Sequence, residues 1–233
     1  MTDTTTPAGI ERERMTDTTT PAGIERESMR IIGAELAARG VTLPREREAV
    51  IKRVIHATAD FDYAETLRFT ADALTLGADA LRGGVIVTDT NMALAGVSKS
   101  ALRRLGAAAY CFMAEEAIAK EAAERNVTRA TVSMERALKR YPGAIFAIGN
   151  APTALLRIAD LIEAGARPAL IIGVPVGFVN VIESKERLWD VCARRSVPAI
   201  VAMGRKGGST VAAAICNALL YAAAGTLDPA DRK

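Results

Sequence analysis

The chain has 233 residues, of which half are hydrophobic and only 4% are aromatic, and its formal net charge is +3. This length fits one large α/β domain or at most two small ones. The mild charge is spread along the chain, which excludes the concentrated basic footprint of a nucleic-acid-binding protein. Alanine, valine, isoleucine and leucine dominate the hydrophobic part, as is typical of buried parallel strands covered by alanine-rich helices.

The three cysteines, Cys111, Cys192 and Cys216, are far apart and form no C-x-x-C pair. With a single histidine they cannot complete a usual zinc-ligand set, so we interpret them as reduced core thiols and expect no metal site. Glycine, proline or a charge interrupts every apolar run before it reaches the length of a membrane span, and the N-terminus has no signal-peptide core. These patterns predict a cytoplasmic protein.

The N-terminus contains a tandem copy. Residues 1–14, MTDTTTPAGIERER, recur as residues 15–28, MTDTTTPAGIERES, with Arg14 against Ser28 as the difference. One such copy is no solenoid repeat, so a duplicated start, an upstream initiation site or a cloning artefact explains it better. We predict a disordered tail over residues 1–27 and one domain over residues 28–225.

Helical periodicity follows this tail. Ser28 is a candidate N-cap for a first helix that ends at Gly40. A second helix is predicted from Pro44 to His56, because proline suits the first turn and the apolar residues that follow share one face. Residues 61–77 are interpreted as one or two short helices.

Five short apolar runs then alternate with helical segments. The runs are residues 85–87, 107–112, 144–148, 169–172 and 199–203, and helices are predicted at residues 90–104, 127–140, 151–165, 178–195 and 208–224. Continuous apolar strands that alternate with helices indicate a parallel sheet covered on both faces. With right-handed crossovers, the predicted fold class is α/β, a three-layer α/β/α sandwich with a five-stranded parallel sheet.

Polar or glycine-rich loops follow four of these runs, at residues 88–92, 149–155, 173–179 and 204–210. Ligands bind beyond the carboxyl ends of parallel strands, so four such loops on one edge predict a binding crevice. None contains a G-x-G-x-x-G, G-x-x-x-x-G-K-[ST] or G-x-S-x-G pattern. A dinucleotide site, ATP hydrolysis and a serine hydrolase are therefore poorly supported.

Two residues are candidates for chemistry outside these loops. His56 is the single histidine of the chain. Imidazole suits proton transfer near neutral pH, yet a histidine beside an apolar helix face is more often a packing or surface residue. Arg129 opens a predicted helix against the helix dipole, where it either recognises a carboxylate or is a tolerated surface arginine. For each residue, the surrounding sequence does not decide between its two interpretations.

The loops resemble those of the precorrin-8X methylmutase and cobalt-precorrin-8 methylmutase family of cobalamin biosynthesis. The matching motifs are AIGNAPTAL at residues 147–155, GVPVGFV at residues 173–179 with ESK at residues 183–185, and GRKGGS at residues 204–209. Weaker similarity covers residues 24–35, 54–57, 88–96 and 128–129, so the resemblance runs from residue 24 to residue 220. Residues 59–83 and the helix over 90–104 diverge more.

The resemblance implies a homodimer with active sites at or near the subunit interface, and a methyl shift from C11 to C12 of the corrinoid ring without a cofactor. The substrate would be precorrin-8X or cobalt-precorrin-8, and the product hydrogenobyrinic acid or its cobalt form, cobyrinic acid. Ile55-His56-Ala57 matches the family's catalytic histidine, so His56 is expected to protonate the nitrogen of ring C or its neighbourhood. The substrate-binding residues implied in the same way are Ser28, Thr88, Asp89, Met92, Arg129, Asn150, Thr153, Gly177, Ser184, Lys185, Arg205, Gly207, Gly208 and Ser209.

Two other functions stand beside this one. A nucleotide-dependent, Rossmann-like oxidoreductase or transferase would bind a nicotinamide or adenosine cofactor tightly. A non-catalytic corrinoid carrier would bind the product without turnover. The predicted partners are the corrinoid substrate and product, with no nucleic acid and no membrane. The sequence leaves open whether the natural substrate carries cobalt, because that metal belongs to the ligand and needs no protein motif.

Overall fold

A computed structural model describes residues 18–232 of the chain. In chain order its elements are α1 (Pro21–Ala38), α2 (Arg45–Thr58), α3 (Tyr63–Thr66), β1 (Leu67–Phe69), α4 (Ala73–Asp79), β2 (Val85–Thr88), α5 (Asn91–Gly96), α6 (Lys99–Leu105), β3 (Ala108–Tyr110), α7 (Glu116–Glu124), α8 (Arg129–Arg140), β4 (Ile145–Ile148), α9 (Pro152–Glu163), β5 (Leu170–Gly173), α10 (Val181–Arg195), β6 (Ala199–Ala202), α11 (Ser209–Ala223) and a closing 3-10 turn (Pro229–Asp231).

The sheet is built on the five predicted strands. Within the described residues it has six strands in the order β1-β6-β5-β4-β2-β3, and the five strands β2 to β6 are parallel to one another. Every residue of β4, β5 and β6 is buried, because helices cover both faces of the sheet. The prediction of an α/β fold with five parallel strands is confirmed.

The sixth strand, β1, is absent from the sequence prediction. It pairs antiparallel with β6, with Leu67 opposite Ala202 and Phe69 opposite Ile200. Leu67 and Phe69 are buried and Arg68 is exposed, but three residues are too few to distinguish strand alternation from helical spacing. The prediction of one or two short helices within residues 61–77 corresponds to two helices, α3 and α4, on either side of this strand.

The strand side chains alternate between two hydrophobic cores. Ile145 and Ala147 of β4 pack with residues of α1, α2, α5, α6 and α11. Phe146 and Ile148 of the same strand pack on the other face with residues of α8, α9 and α10. The sheet is thus the middle layer of the predicted three-layer sandwich.

The first helix begins earlier than predicted. α1 starts at Pro21, and the hydroxyl of Thr20 caps it by accepting a hydrogen bond of 3.0 Å from the Gly23 N–H. Residues 21–27 are therefore helical, because Thr20 and Pro21 supply the cap and first turn that the prediction placed at Ser28. The rest of the predicted tail up to residue 17 lies outside the described residues. At the other end, the 3-10 turn continues the ordered chain past residue 225.

The helix predicted over residues 90–104 is two helices. α5 ends at Gly96, and the Ser98 hydroxyl caps α6 by accepting a hydrogen bond of 3.3 Å from the Ala101 N–H. Asn217 of α11 fixes this break, because its side chain accepts from the Ser98 N–H and donates to the Gly96 carbonyl, both at 2.8 Å. The break is caused by packing against α11, and the sequence of residues 90–104 alone does not reveal it.

The remaining predicted helices are confirmed as α8 to α11, and α7 is an additional helix. Among the helices of residues 18–232, none has the length and apolar composition needed to span a membrane. All three cysteines are free, as predicted. Burial raises the pKa of Cys192 and of Cys216 to about 12, so these two thiols act as unreactive packing groups.

Candidate active site

The four predicted loops meet at the carboxyl edge of the sheet, between β2, β4, β5 and β6 and the helices α5, α9, α10 and α11. Hydrogen bonds join them. The hydroxyls of Thr90 and Ser209 lie 2.8 Å apart. The Gly208 N–H donates to the Val174 carbonyl at 2.8 Å. The loops therefore form one continuous surface, as the sequence predicts.

Asp89 anchors the first loop to the second. Its carboxylate accepts three hydrogen bonds of 2.8 Å from the backbone N–H groups of Gly149, Asn150 and Ala151. The side chain is fully buried, and burial raises the pKa of Asp89 while the hydrogen bonds from these N–H groups act to lower it. Asp89 thus fixes the turn that precedes α9 and has no surface open to a ligand.

The glycine loops approach one another too closely for side chains. A Cβ atom at Gly149 would lie 2.7 Å from the Cα of Ser209, and a Cβ at Gly207 would lie 2.2 Å from the carbonyl oxygen of Val174. These are contacts with backbone, which cannot swing aside as a side chain can. The two glycines are therefore needed where the second and third loops pack on the fourth.

We expect Gly207→Ala to push the third and fourth loops apart, because its methyl group must displace the Val174 carbonyl. Overpacking of this kind costs about 1–3 kcal/mol. Thermal unfolding should show a lower midpoint for this variant. Gly143→Ala is the matched control, since a Cβ there meets nothing within 4 Å. Equal midpoints for the two variants would contradict the close approach.

Lys185 supports the fourth loop from inside the protein. Its Nζ donates to the carbonyl oxygens of Gly204 at 2.7 Å and Lys206 at 2.8 Å. The side chain is fully buried, and burial lowers the pKa of Lys185 to about 8. The neighbouring Ser184 is also buried, and its hydroxyl donates to the Val181 carbonyl at 2.9 Å. Both residues make internal hydrogen bonds where the resemblance predicts substrate contacts.

His56 lies on the last turn of α2 and is exposed, whereas Val54 and Ile55 before it are buried. It borders a cavity of about 220 Å³ between α2, α5 and α11. The cavity is lined by Arg53, His56, Ala57, Met92, Gly96, Thr210, Ala213, Ala214 and Asn217. The imidazole makes no side-chain hydrogen bond within residues 18–232 and borders the cavity with an exposed surface.

A second part of the edge joins the starts of α8 and α9. The hydroxyls of Thr128 and Thr153 lie 2.9 Å apart. Arg129, the first residue of α8, is exposed, and so is Asn150 in the loop before α9. A guanidinium beside two helix N-termini suits an anionic group such as a carboxylate.

The third loop carries an apolar tip that is open to solvent. Phe178 is 84% exposed and Val179 is 77% exposed, and Met92 beside His56 is 70% exposed. The guanidinium of Arg205 lies over the Phe178 ring, 5.6 Å from its centre. Clustered apolar side chains in such open positions are typical of interaction surfaces.

The residues predicted to bind substrate therefore fall into three groups. One group lies on the loop surface, at least partly accessible: Met92, Arg129, Asn150, Thr153, Gly177, Arg205, Gly207, Gly208 and Ser209. A second group is fully buried and makes internal hydrogen bonds, which favours a supporting role: Thr88, Asp89, Ser184 and Lys185. Ser28 lies on α1, outside the lining of the His56 cavity, and its hydroxyl donates to the Ile24 carbonyl at 2.9 Å.

Three polar side chains of the cavity are missing from the sequence prediction: Arg53, Thr210 and Asn217. Arg53 precedes His56 by three residues, a spacing that places both on one helix face and could have indicated it. Thr210 directly follows the GRKGGS motif. No sequence pattern points to Asn217, because its place in the cavity follows from the packing of α11 against α5.

Comparison with known proteins shows which family the chain is similar to. The model of the CbiC family, precorrin-8X methylmutase, matches residues 23–222. The chain belongs to the precorrin-8X methylmutase family. The resemblance inferred from the loop motifs is thereby confirmed, and so is the interpretation of the protein as an isomerase. A nucleotide-dependent oxidoreductase or transferase and a non-catalytic carrier find no support.

Named members of the family are similar over most of their length. A cobalt-precorrin-8 methylmutase from Salmonella typhimurium is 46% identical over 176 residues, which are 75% of this chain and 80% of the relative. A precorrin-8X methylmutase from Pseudomonas aeruginosa is 41% identical over 196 residues, 82% of this chain and 91% of the relative. The crystal structure of a precorrin-8X methylmutase from Thermus thermophilus matches with a TM-score of 0.77 at 39% identity, covering 87% of this chain and 98% of that one.

Proposed function

We propose that the protein moves a methyl group from C11 to C12 of precorrin-8X or cobalt-precorrin-8, giving hydrogenobyrinic acid or cobyrinic acid in cobalamin biosynthesis. The observation that carries this proposal is the position of His56. The single histidine of the chain is exposed in a cavity that adjoins the loops with the family's motifs. Substrate and product are isomers, so the reaction needs only a proton that is donated and later taken back.

In this mechanism His56 donates a proton to the nitrogen of ring C or its neighbourhood. Protonation draws electron density towards that part of the macrocycle and favours migration of the methyl group to the adjacent carbon. The bond from C11 to the methyl group breaks, the bond from C12 to it forms, and no net oxidation occurs. His56 then takes the proton back. An exposed imidazole that no other described residue binds through a hydrogen bond suits both steps.

The side-chain carboxylates of the macrocycle would bind at the loop surface. Arg129 and Arg205 are exposed cations there, and a guanidinium matches the geometry of a carboxylate. Ser209 links this surface to the cavity, because the next residue, Thr210, lines it. The buried Asp89 and Lys185 would act indirectly, by fixing the loops that present these groups.

A homodimer with sites near the subunit interface is part of the proposal. The cavity of about 220 Å³ is smaller than the roughly 300–1,000 Å³ pockets that enclose drug-sized ligands, so one chain covers only an edge of a macrocycle. Phe178, Val179 and Met92 offer the exposed apolar surface on which a second copy would pack.

Light scattering during size-exclusion chromatography should therefore give the mass of two chains. Phe178→Asp should shift the protein towards one chain and lower its turnover, because it places a charge in the apolar contact. Leu76→Asp, which alters an exposed leucine of α4, is the matched control and should leave the dimer intact. A single-chain wild type with full activity would contradict the dimer.

We also propose that the protein acts in the cytoplasm. Its three cysteines are free thiols, and thiols remain reduced in that compartment.

The relatives include proteins named for the cobalt substrate and for the metal-free one. The proposal therefore includes both precorrin-8X and cobalt-precorrin-8 as substrates.

The test is incubation of the purified protein with precorrin-8X and, separately, with cobalt-precorrin-8. Migration of the methyl group changes the conjugation of the ring, so turnover should appear as a change in the absorbance spectrum. The substrate that turns over faster identifies the natural one. Product binding without conversion of either substrate would favour a carrier and would contradict the proposed function.

A further inference from the structure

A charged cluster stands behind the wall of the His56 cavity. Arg53 lies one helical turn before His56 and lines the same cavity. Its guanidinium donates a hydrogen bond to Glu25 of α1 and lies over the ring of Tyr221 on α11, 4.8 Å from the ring centre. Arg232 donates two hydrogen bonds of 2.7 Å to the same Glu25 and lies 3.8 Å from the centre of the same ring.

The cluster carries an excess of positive charge. Burial acts to raise the pKa of Glu25, but its hydrogen bonds and charge interactions with Arg232 and Arg53 hold that pKa below the ordinary value, so Glu25 is ionised at neutral pH. One carboxylate is thus shared between two guanidinium groups. The three side chains together keep one net positive charge, which favours an anion at the cavity wall.

The two arginines differ in how many of their N–H donors form hydrogen bonds within the protein. Arg232 donates from Nε to the Thr226 carbonyl at 2.9 Å and from Nη2 to the Leu227 carbonyl at 2.6 Å, in addition to its bonds with Glu25. Arg53 bonds to Glu25 through Nη2 alone, so its Nε and Nη1 have no acceptor within residues 18–232. Neither nitrogen is among the sealed, unpartnered polar atoms of the described residues. Arg53 therefore keeps donors for a ligand.

We propose that Arg53 is a further substrate-binding residue, which takes one side-chain carboxylate of the corrinoid next to His56. This inference rests on the proposed function and names a contact that the motif resemblance does not include. The guanidinium is already held in place by Glu25 and Tyr221, so little conformational freedom is lost when it binds the carboxylate. Small side chains around it, Ala57 and Ala213 among them, leave room for an edge of the ring.

The test compares the binding of two probes, hydrogenobyrinic acid and its fully amidated counterpart, by absorbance titration. Arg53→Met should weaken binding of the acid by about 10- to 100-fold, the usual effect of losing a hydrogen-bonded charge pair. It should change binding of the amidated probe much less. Arg53→Lys should retain part of the affinity for the acid, because it keeps the charge.

Lys52→Met is the matched control. Lys52 is the adjacent cation on α2, but it pairs with Glu48 at 2.5 Å and lies outside the cavity lining. Its replacement removes the same charge and should leave both affinities unchanged. Circular dichroism checks that each variant is folded, and Arg53→Lys carries the comparison if Arg53→Met does not fold.

Two results would overturn the inference. One is equal weakening of the acid and amidated probes, which would make Arg53 a packing residue. The other is unchanged binding of the acid by a folded Arg53 variant while the wild type turns over. If the wild type neither binds nor converts the corrinoid, the proposed function itself fails, and the two failures are thereby distinguishable.

Discussion

Replacement of His56 by asparagine should abolish methyl migration and leave the fold intact. No other histidine can take over the proton transfer, because His56 is the single one in the chain. General acid–base catalysis by a positioned side chain contributes about 10²–10⁴-fold to a rate, and the loss should be at least of this size. The imidazole is exposed and makes no hydrogen bond within the described part of the chain, so the free energy of unfolding should change by less than about 0.5 kcal/mol.

Single-turnover absorbance measurements give the rate, and thermal unfolding gives the stability. The variant should still bind hydrogenobyrinic acid, because the loop surface and Arg53 remain. Retained binding with lost turnover separates proton transfer from substrate recognition. A His56→Asn variant that turns over at the wild-type rate would remove His56 from the mechanism.

Replacement of Asp89 by alanine should have the largest effect on stability. The variant leaves the N–H group of Gly149, which is buried, and those of Asn150 and Ala151, which are partly buried, without their acceptor. Each unsatisfied buried polar group costs about 1–3 kcal/mol, and the contributions are not fully additive, so a loss of roughly 3–5 kcal/mol is expected. Since domains have a total stability of about 5–15 kcal/mol, this loss is a large share of it.

Urea unfolding monitored by circular dichroism measures this loss. Asp89→Asn should lie between the wild type and Asp89→Ala, because the amide keeps one oxygen that accepts hydrogen bonds. Asp79→Ala, which removes an exposed carboxylate of α4, is the control and should cost less than about 0.5 kcal/mol. A similar small cost for Asp89→Ala would show that the loop does not depend on this anchor.

The sheet was predictable because five of its strands are continuous apolar runs between helices. Apolar runs that alternate with helices are typical of a parallel sheet covered on both faces. β1 was not predictable, because its three residues become a strand only by pairing with β6. The break between α5 and α6 also depends on a distant residue, Asn217, whose amide bonds to both sides of it.

The candidate site was predictable only in part. The motifs locate the loops, but they do not distinguish a side chain that faces a ligand from one that holds the loop. Lys185 and Asp89 are charged residues in or beside the motifs. Inside the protein, however, both side chains form hydrogen bonds with backbone groups that are distant in sequence. Arg53 was missed for the opposite reason: its place beside His56 is evident once α2, α5 and α11 enclose one cavity.

We infer that the macrocycle rearranges in the cavity beside His56. The most direct measurement is a crystal structure of the wild-type protein with hydrogenobyrinic acid bound. It should place the nitrogen of ring C, or the atoms next to it, within hydrogen-bond distance of the His56 imidazole, with the side-chain carboxylates on the loop surface. A macrocycle bound elsewhere on the protein, with His56 still open to solvent, would contradict the claim.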